Sequence, residues 1–315
     1  MPDPLRKTIS ATEAAALFDA SPYITPWMLF QRFAHGHETY QAEHVRMDWG
    51  KKLEPLILAQ AAQDLKIEIT PNVGPDGNQV YIRNGLLGAT PDAFAFCPDR
   101  GPGIVEVKCV FDYRTWMAEW NGGNSVPKQN DIQVQVQLKV GKGESAPRAG
   151  DAKPFGWGVF AVWVAGDVHY FERKPIAKFA KALDTEVKQF FDDVAKNFEP
   201  EPFGTPREWP LLREVFPTIE TKILDLRDAK EGTELAELVR LHEYHRSQRL
   251  GHTRGEDALK MKLAIAAKDS GQVLLPNMIN FKVKKNKTGP GINAYVPPDL
   301  EQGGLEPFEG VELGG

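Results

Sequence analysis

Between Gly101-Pro102-Gly103 and Phe111 the chain runs Ile104-Val105-Glu106-Val107-Lys108-Cys109-Val110, an apolar, β-branched stretch interrupted by two charges. Such a stretch predicts an interior strand over 103–110, where an unpaired carboxylate or ammonium is strongly disfavoured, so the two charges imply a use. Residues two apart in a strand share a face: Glu106 and Lys108 point one way and Val107 the other. Shorter alternating segments at 66–70, 79–83 and 92–96, separated by Gly-, Pro- and Asp-rich turns, extend this strand into a small sheet. A further strand pair is predicted at 156–164 and 167–173, turning at Gly166-Asp167.

Helical spacing of Leu53, Leu56, Ile57, Ala61 and Leu65 predicts a helix over 47–65, with Glu54 early on it beside the apolar stripe. Helices are also expected at 12–19, capped by Thr12, and at 175–197. Pro200, Pro202, Pro206 and Pro210 mark a linker over 201–218. Beyond it the reading is a helical extension over 219–300. One helix spans 219–250, a second begins at the capping box Thr253-x-x-Glu256 and ends at Gly271, and a hairpin pairs 278–284 with 292–296. That hairpin bears Lys282, Lys284, Lys285 and Lys287, which suit either phosphate contacts or the protection of an exposed strand. The Gly-rich, acidic tail 301–315 is expected to be disordered.

Composition narrows the chemistry. The net charge of −5 over 315 residues gives no global attraction to nucleic acid, so any such contact must be local. Cys97 and Cys109 are the only cysteines and no C-x-x-C occurs, which argues against a disulfide framework, structural zinc or an iron–sulfur cluster. His242-Glu243-Tyr244-His245 is one residue short of a zinc-binding H-E-x-x-H and reads as a solvated helix face. No stretch approaches 18 apolar residues and the N-terminus lacks a signal-like apolar core, so a cytoplasmic protein without membrane contact is expected.

Upstream of the charged strand lies Thr90-Pro91-Asp92, with Asp92 leading Phe94 and Phe96 into their own strand. Asp92, Glu106 and Lys108 can therefore converge on a hard cation and a phosphate. Taken alone, an E-x-K triplet is as well explained by a cross-strand ion pair, Pro-Asp by a turn, and Glu54 by a helix N-terminus. Three further pieces occur in order around them: Ile9-Ser10-Ala11-Thr12-Glu13, Gly50-x-x-x-Glu54, and Gln133-Val134-Gln135. Over roughly residues 5–195 this order resembles the lambda exonuclease or YqaJ-like viral recombinase family of the PD-(D/E)xK nuclease superfamily.

The resemblance implies an α/β fold: a PD-(D/E)xK, restriction-endonuclease-like core over 1–200, its central mixed sheet flanked by helices, followed by the C-terminal extension. It implies a metal-dependent exodeoxyribonuclease, a phage-type 5′→3′ exonuclease acting on linear double-stranded DNA in recombination. Mg²⁺, or Mn²⁺ in its place, would be held by Asp92, Glu106, the Val107 carbonyl and Glu54. Lys108 would position or deprotonate the attacking water and stabilise phosphoryl charge, and Gln133 would orient the nucleophile. Arg6 and Thr12 would grip the 5′-phosphate, with Lys7 able to replace Arg6, which is one residue off the family spacing. A ring-shaped homo-oligomer, a single-strand annealing partner and a phage or prophage origin in a bacterial host are further implications. An endonuclease of the same fold, restriction or junction-cleaving, stays open, as do a non-catalytic DNA-binding module and a coincidence of motifs in an unrelated α/β protein.

At one segment pattern and resemblance disagree. Ile132, Val134, Val136, Leu138 and Val140 alternate with Gln133, Gln135, Gln137 and Lys139, a strand by periodicity. The family has a helix there, and a helix is the expectation adopted.

Overall fold

The computed structural model describes residues 8–37, 45–141, 155–217, 219–247, 253–276, 279–285 and 290–295. Arg6, Lys7, Lys287 and the 301–315 tail lie outside the described residues. The chain divides into two units, Met1–Pro200 and Glu201–Gly315.

In chain order the first unit contains β1 (Ile9–Ser10), a 3-10 turn (Ala14–Phe18), α1 (Pro26–His35), α2 (Val45–Leu65), β2 (Glu68–Pro71), β3 (Ile82–Asn84) and β4 (Leu87–Ala89). It continues with β5 (Ala93–Cys97), β6 (Gly101–Val110), α3 (Tyr113–Glu119), α4 (Lys128–Val140), β7 (Trp157–Val164), β8 (Asp167–Arg173) and α5 (Ala177–Lys196). The central sheet has the order β2-β5-β6-β7-β8. Only β6 and β7 run parallel, from Gly103 opposite Trp157 to Val110 opposite Val164; the other neighbours are antiparallel. The sheet is thus mixed and flanked by helices, as expected.

Each face of the sheet has its own core. Ile104, Phe160 and Val162 pack with the apolar residues of α4 and with Leu183, Val187 and Phe190 of α5. Val105, Val159 and Ala161 on the other face pack with Ile57, Leu58 and Ala61 of α2. Burial on both faces is why β6 reads as a continuous apolar run. Gly103 brings β6 against β7 closely: a Cβ there would lie 2.4 Å from Trp157 Cε2.

Residues 132–140 are helical, the expectation adopted over the strand periodicity, and the alternation pointed elsewhere because this stretch is buried almost all round, Gln133, Gln135 and Gln137 included. Two other local expectations change. Helix α1 was not foreseen, although Thr25 caps it through Met28 N–H, Pro26 opens it and Gly36 closes it at φ +76°. Thr12 is not a cap: Ser10 N–H donates to Glu13 Oε2 (2.8 Å) and Glu13 N–H to Ser10 Oγ (3.3 Å), a reciprocal box one turn earlier.

The second unit holds α6 (Trp209–Val215), β9 (Ile219–Asp225), α7 (Lys230–Ser247), α8 (Thr253–Ala267), β10 (Ser270–Leu274), β11 (Asn280–Lys285) and β12 (Pro290–Tyr295). Its sheet has the order β12-β11-β10-β9. The stretch expected as a linker carries α6, whose Trp209, Leu211 and Leu212 are buried. The single helix expected over 219–250 is replaced by β9 and α7, because Ile219-Glu220-Thr221-Lys222-Ile223 has strand alternation and pairs in parallel with β10. The hairpin is present as β11 and β12, but β11 is an interior strand, so Lys282 and Lys284 protect no edge. His242 is buried in α7 rather than solvated, its Nδ1 2.9 Å from Glu243 Oε1. Among the described residues no helix is long and apolar enough to cross a membrane.

Candidate active site

The antiparallel pairing of β5 with β6 stops at Ala93 opposite Val105. Past that point β6 keeps its bonds to β7 but loses its partner on the other edge. Val107 N–H, aimed at that open edge, donates to Asp92 Oδ2 at 2.7 Å. A strand residue turns its N–H and C=O to the same side, so the Val107 carbonyl also faces the gap that holds Asp92.

Glu106 is buried, and its carboxylate is fully engaged. Oε1 accepts from Lys108 Nζ (2.9 Å) and Gln133 Nε2 (2.5 Å), and Oε2 accepts from Gln137 Nε2 (2.6 Å). Lys108 Nζ also donates to Gln133 Oε1 at 2.9 Å, closing a three-membered ring of side chains. Gln133 and Gln137 are four apart on α4 and reach the same carboxylate from successive turns. Gln135 faces elsewhere, donating to Lys174 C=O and accepting from Ile176 N–H, each at 2.9 Å, which anchors the start of α5.

These groups floor a cleft of about 580 Å³ lined by Asp92, Glu106, Val107, Lys108, Glu54, Gln133 and Thr12 together with Tyr23, Arg46, Lys51 and Asn130. Glu54 comes from α2, one residue before Pro55, which has no N–H to continue the helical ladder. Thr12 Oγ1 lies 3.2 Å from Ser10 Oγ. The structure therefore brings together every sequence-predicted site residue it describes. Gln137 was missed, although its i+4 spacing from Gln133 was a readable signal. Arg46, paired with Asp112 Oδ2 at 3.1 Å, had none, because nothing local marks it as facing the cleft.

The electrostatics are unbalanced toward negative charge. Burial pushes Asp92 well above the ordinary carboxylate range and Glu106 pushes it further, while Lys108 and the Val107 N–H pull it back. Burial and Glu106 also raise Glu54. For Lys108 burial opposes the charged form, yet Glu106 and then Asp92 outweigh it and hold the ammonium above its usual value. The neighbouring Cys109 thiol is pushed up to about 11 by burial and by Asp92 and Glu54. Of the charged residues that line the cleft, five are acidic (Glu54, Asp92, Glu106, Asp112 and Glu119) and three are basic (Arg46, Lys51 and Lys108).

Oxygen donors of this kind are what a hard divalent cation takes. Among the described residues no cluster of three or more His, Cys, Asp or Glu forms a ready-made metal cage. Mg²⁺ takes one or two carboxylates and keeps several waters, and here Asp92, Glu106, Glu54 and the Val107 carbonyl offer only oxygens beside an open cleft.

Among solved structures, the chain is similar to an alkaline exonuclease from Laribacter hongkongensis, with 17% identity and a TM-score of 0.45 over 61% of this chain and 90% of that one. A phage-related exonuclease from Haemophilus somnus 129PT shows 10% identity and a TM-score of 0.42 over 61% of this chain and 96% of the other. No curated protein matches the chain. The family model that describes the YqaJ-like viral recombinase domain matches residues 5–144, the span that contains Asp92, the Glu106-Val107-Lys108 strand and the glutamines of α4, and over this span the chain is similar to that family.

Proposed function

We propose that the cleft hydrolyses DNA phosphodiester bonds with Mg²⁺, as a phage-type 5′→3′ exonuclease on linear duplex DNA. The observation that carries this reading is the Lys108 ammonium, held between Glu106 and Gln133 on the floor that Asp92 closes from the parted strand edge. Asp92, Glu106, Glu54 and the Val107 carbonyl would hold the cation, which when bound supplies Lewis-acid chemistry to water and phosphate. Lys108 sits where it offsets charge growing on the phosphoryl oxygens. Gln133, which lines the cleft and bonds both Lys108 and Glu106, keeps that ammonium aimed. Thr12, at the cleft wall, offers a hydroxyl to a terminal phosphate, the role the resemblance also gives to Arg6. The annealing-protein partner and the ring assembly are proposed on the family resemblance alone.

The test compares purified protein with its Lys108→Ala variant on 5′-phosphorylated linear duplex, closed circular duplex and single strands, in Mg²⁺, Ca²⁺ or EDTA. Loss of linear duplex alone, dependent on Mg²⁺ and Lys108, is the expected result. Cutting of closed circles would instead make the protein an endonuclease, and no Mg²⁺-dependent cleavage would leave a binding module.

A further inference from the structure

Gln137 is fully buried among Val134, Val136, Leu138 and Val140 and is not part of the cleft lining. It touches the site through one bond, to Glu106 Oε2 at 2.6 Å. The other carboxylate oxygen, Oε1, is the one shared with Lys108 and Gln133, both of which line the cleft. Gln137 thus holds the rear oxygen while the front one faces the chemistry. Its own Oε1 is buried without a hydrogen-bond partner, a costly arrangement that a methionine or leucine at this position would avoid. Packing does not explain the glutamine. The Glu106 contact does, and it also sets the amide's orientation, since the reverse would press two oxygens together.

We propose that Gln137 is a positioning residue that restricts Glu106 to a single oxygen toward the cleft and thereby selects compact octahedral cations such as Mg²⁺ and Mn²⁺ over Ca²⁺. The inference rests on the divalent-cation reading of the cleft. A carboxylate free to swing can present both oxygens, which suits Ca²⁺ with its larger, adaptable shell, whereas Mg²⁺ demands near-ideal octahedral placement. Held from behind, Glu106 gives one oxygen in one place. Outer hydrogen-bond partners of this kind are worth about 10- to 100-fold in metal affinity.

Calorimetric titration of Mn²⁺ and of Ca²⁺ into the metal-free full chain, without DNA, tests the proposal on wild type, Gln137→Met and Gln137→Asn. Methionine keeps the volume and removes the donor; asparagine keeps the amide but falls a methylene short. Expected is a loss of Mn²⁺ affinity of about tenfold or more in both variants, with Ca²⁺ affinity held or increased. On linear duplex, kcat should fall while KM stays. An unchanged Mn²⁺-to-Ca²⁺ ratio in variants that unfold at the wild-type temperature overturns the proposal, as does an equal weakening of both metals. If Gln137→Met fails to fold, Gln137→Asn decides alone. A wild type that binds neither metal would remove the divalent-cation reading itself, an outcome distinct from any difference among the variants.

Discussion

Asp92 Oδ2 accepts the Val107 amide proton at 2.7 Å, fastening the lead-in of one strand to the other at the point where their pairing ends. The bond satisfies an edge N–H that the sheet has abandoned and draws a carboxylate into the cleft beside Glu106. The site is therefore made by a defect in the sheet, and the defect has a stability cost.

Replacing Asp92 with asparagine should expose that cost. Without a cation, Asp92→Asn relieves repulsion from Glu106 and Glu54 while retaining an acceptor for Val107. Its thermal midpoint in EDTA is expected to rise by about 2–4 °C, on the order of 1 kcal/mol. Mg²⁺ is expected to raise the midpoint of wild type and to leave that of the variant unchanged. Calorimetric scans with and without Mg²⁺ check both; a variant less stable than wild type in EDTA would contradict the repulsion argument.

The pH dependence follows from the same shifts. Asp92 and Glu54 hold protons more tightly folded than unfolded, so folding takes up protons between the ordinary carboxylate range and their raised values. Across that window the metal-free protein loses stability as pH rises, and above it the loss is constant. Melting wild type and Asp92→Asn in EDTA over a pH series should show a gap that opens in the variant's favour with rising pH and then levels. A gap that closes with rising pH would reverse the sign.

Lys108→Met should lower kcat by about 10²- to 10⁴-fold with little change in KM for the duplex, as measured by steady-state release of nucleotides. Lys108→Arg should not rescue it. The planar guanidinium is broader than an ammonium and cannot take the same point between Glu106 Oε1 and Gln133 Oε1. Full activity in the arginine variant would show that charge alone suffices.

Outside the cleft lining, Glu199 Oε1 accepts from the Trp27 indole N–H at 2.6 Å and from Gln31 Nε2 at 2.5 Å. Trp27 and Gln31 are buried in α1, so Glu199→Ala strands two donors. A destabilisation of about 1–3 kcal/mol is expected, read as a lower urea midpoint of the tryptophan fluorescence transition at unchanged slope. An unchanged midpoint would mean that water replaces the carboxylate.

Much of the cleft floor was legible because its elements are local: Glu106 and Lys108 announce themselves as charges in an apolar strand, and Asp92 leads the neighbouring one. Helix α4 was legible only through motif order, since burial on all sides erased the amphipathic signal that distinguishes helix from strand. Gln137 escaped although residues 133 and 137 share a side in a helix as in a strand, because only the folded chain shows that both amides reach the same carboxylate. Strand β9 was read as helix when its alternation was short and its partner β10 lay far along the chain. Pairing over that distance leaves no mark in a local window.

Gln133, Gln135 and Gln137 of α4 join things that are remote in sequence: Gln133 and Gln137 grip Glu106, and Gln135 holds the backbone at Lys174 and Ile176 where α5 begins. Rotation of this one helix would shift the carboxylate and the α5 junction together. For anyone recombining segments among related chains, β6, α4 and the β8–α5 corner form a single heritable block: grafting the charged strand alone would carry the reactive groups but leave behind the clamp that aims them.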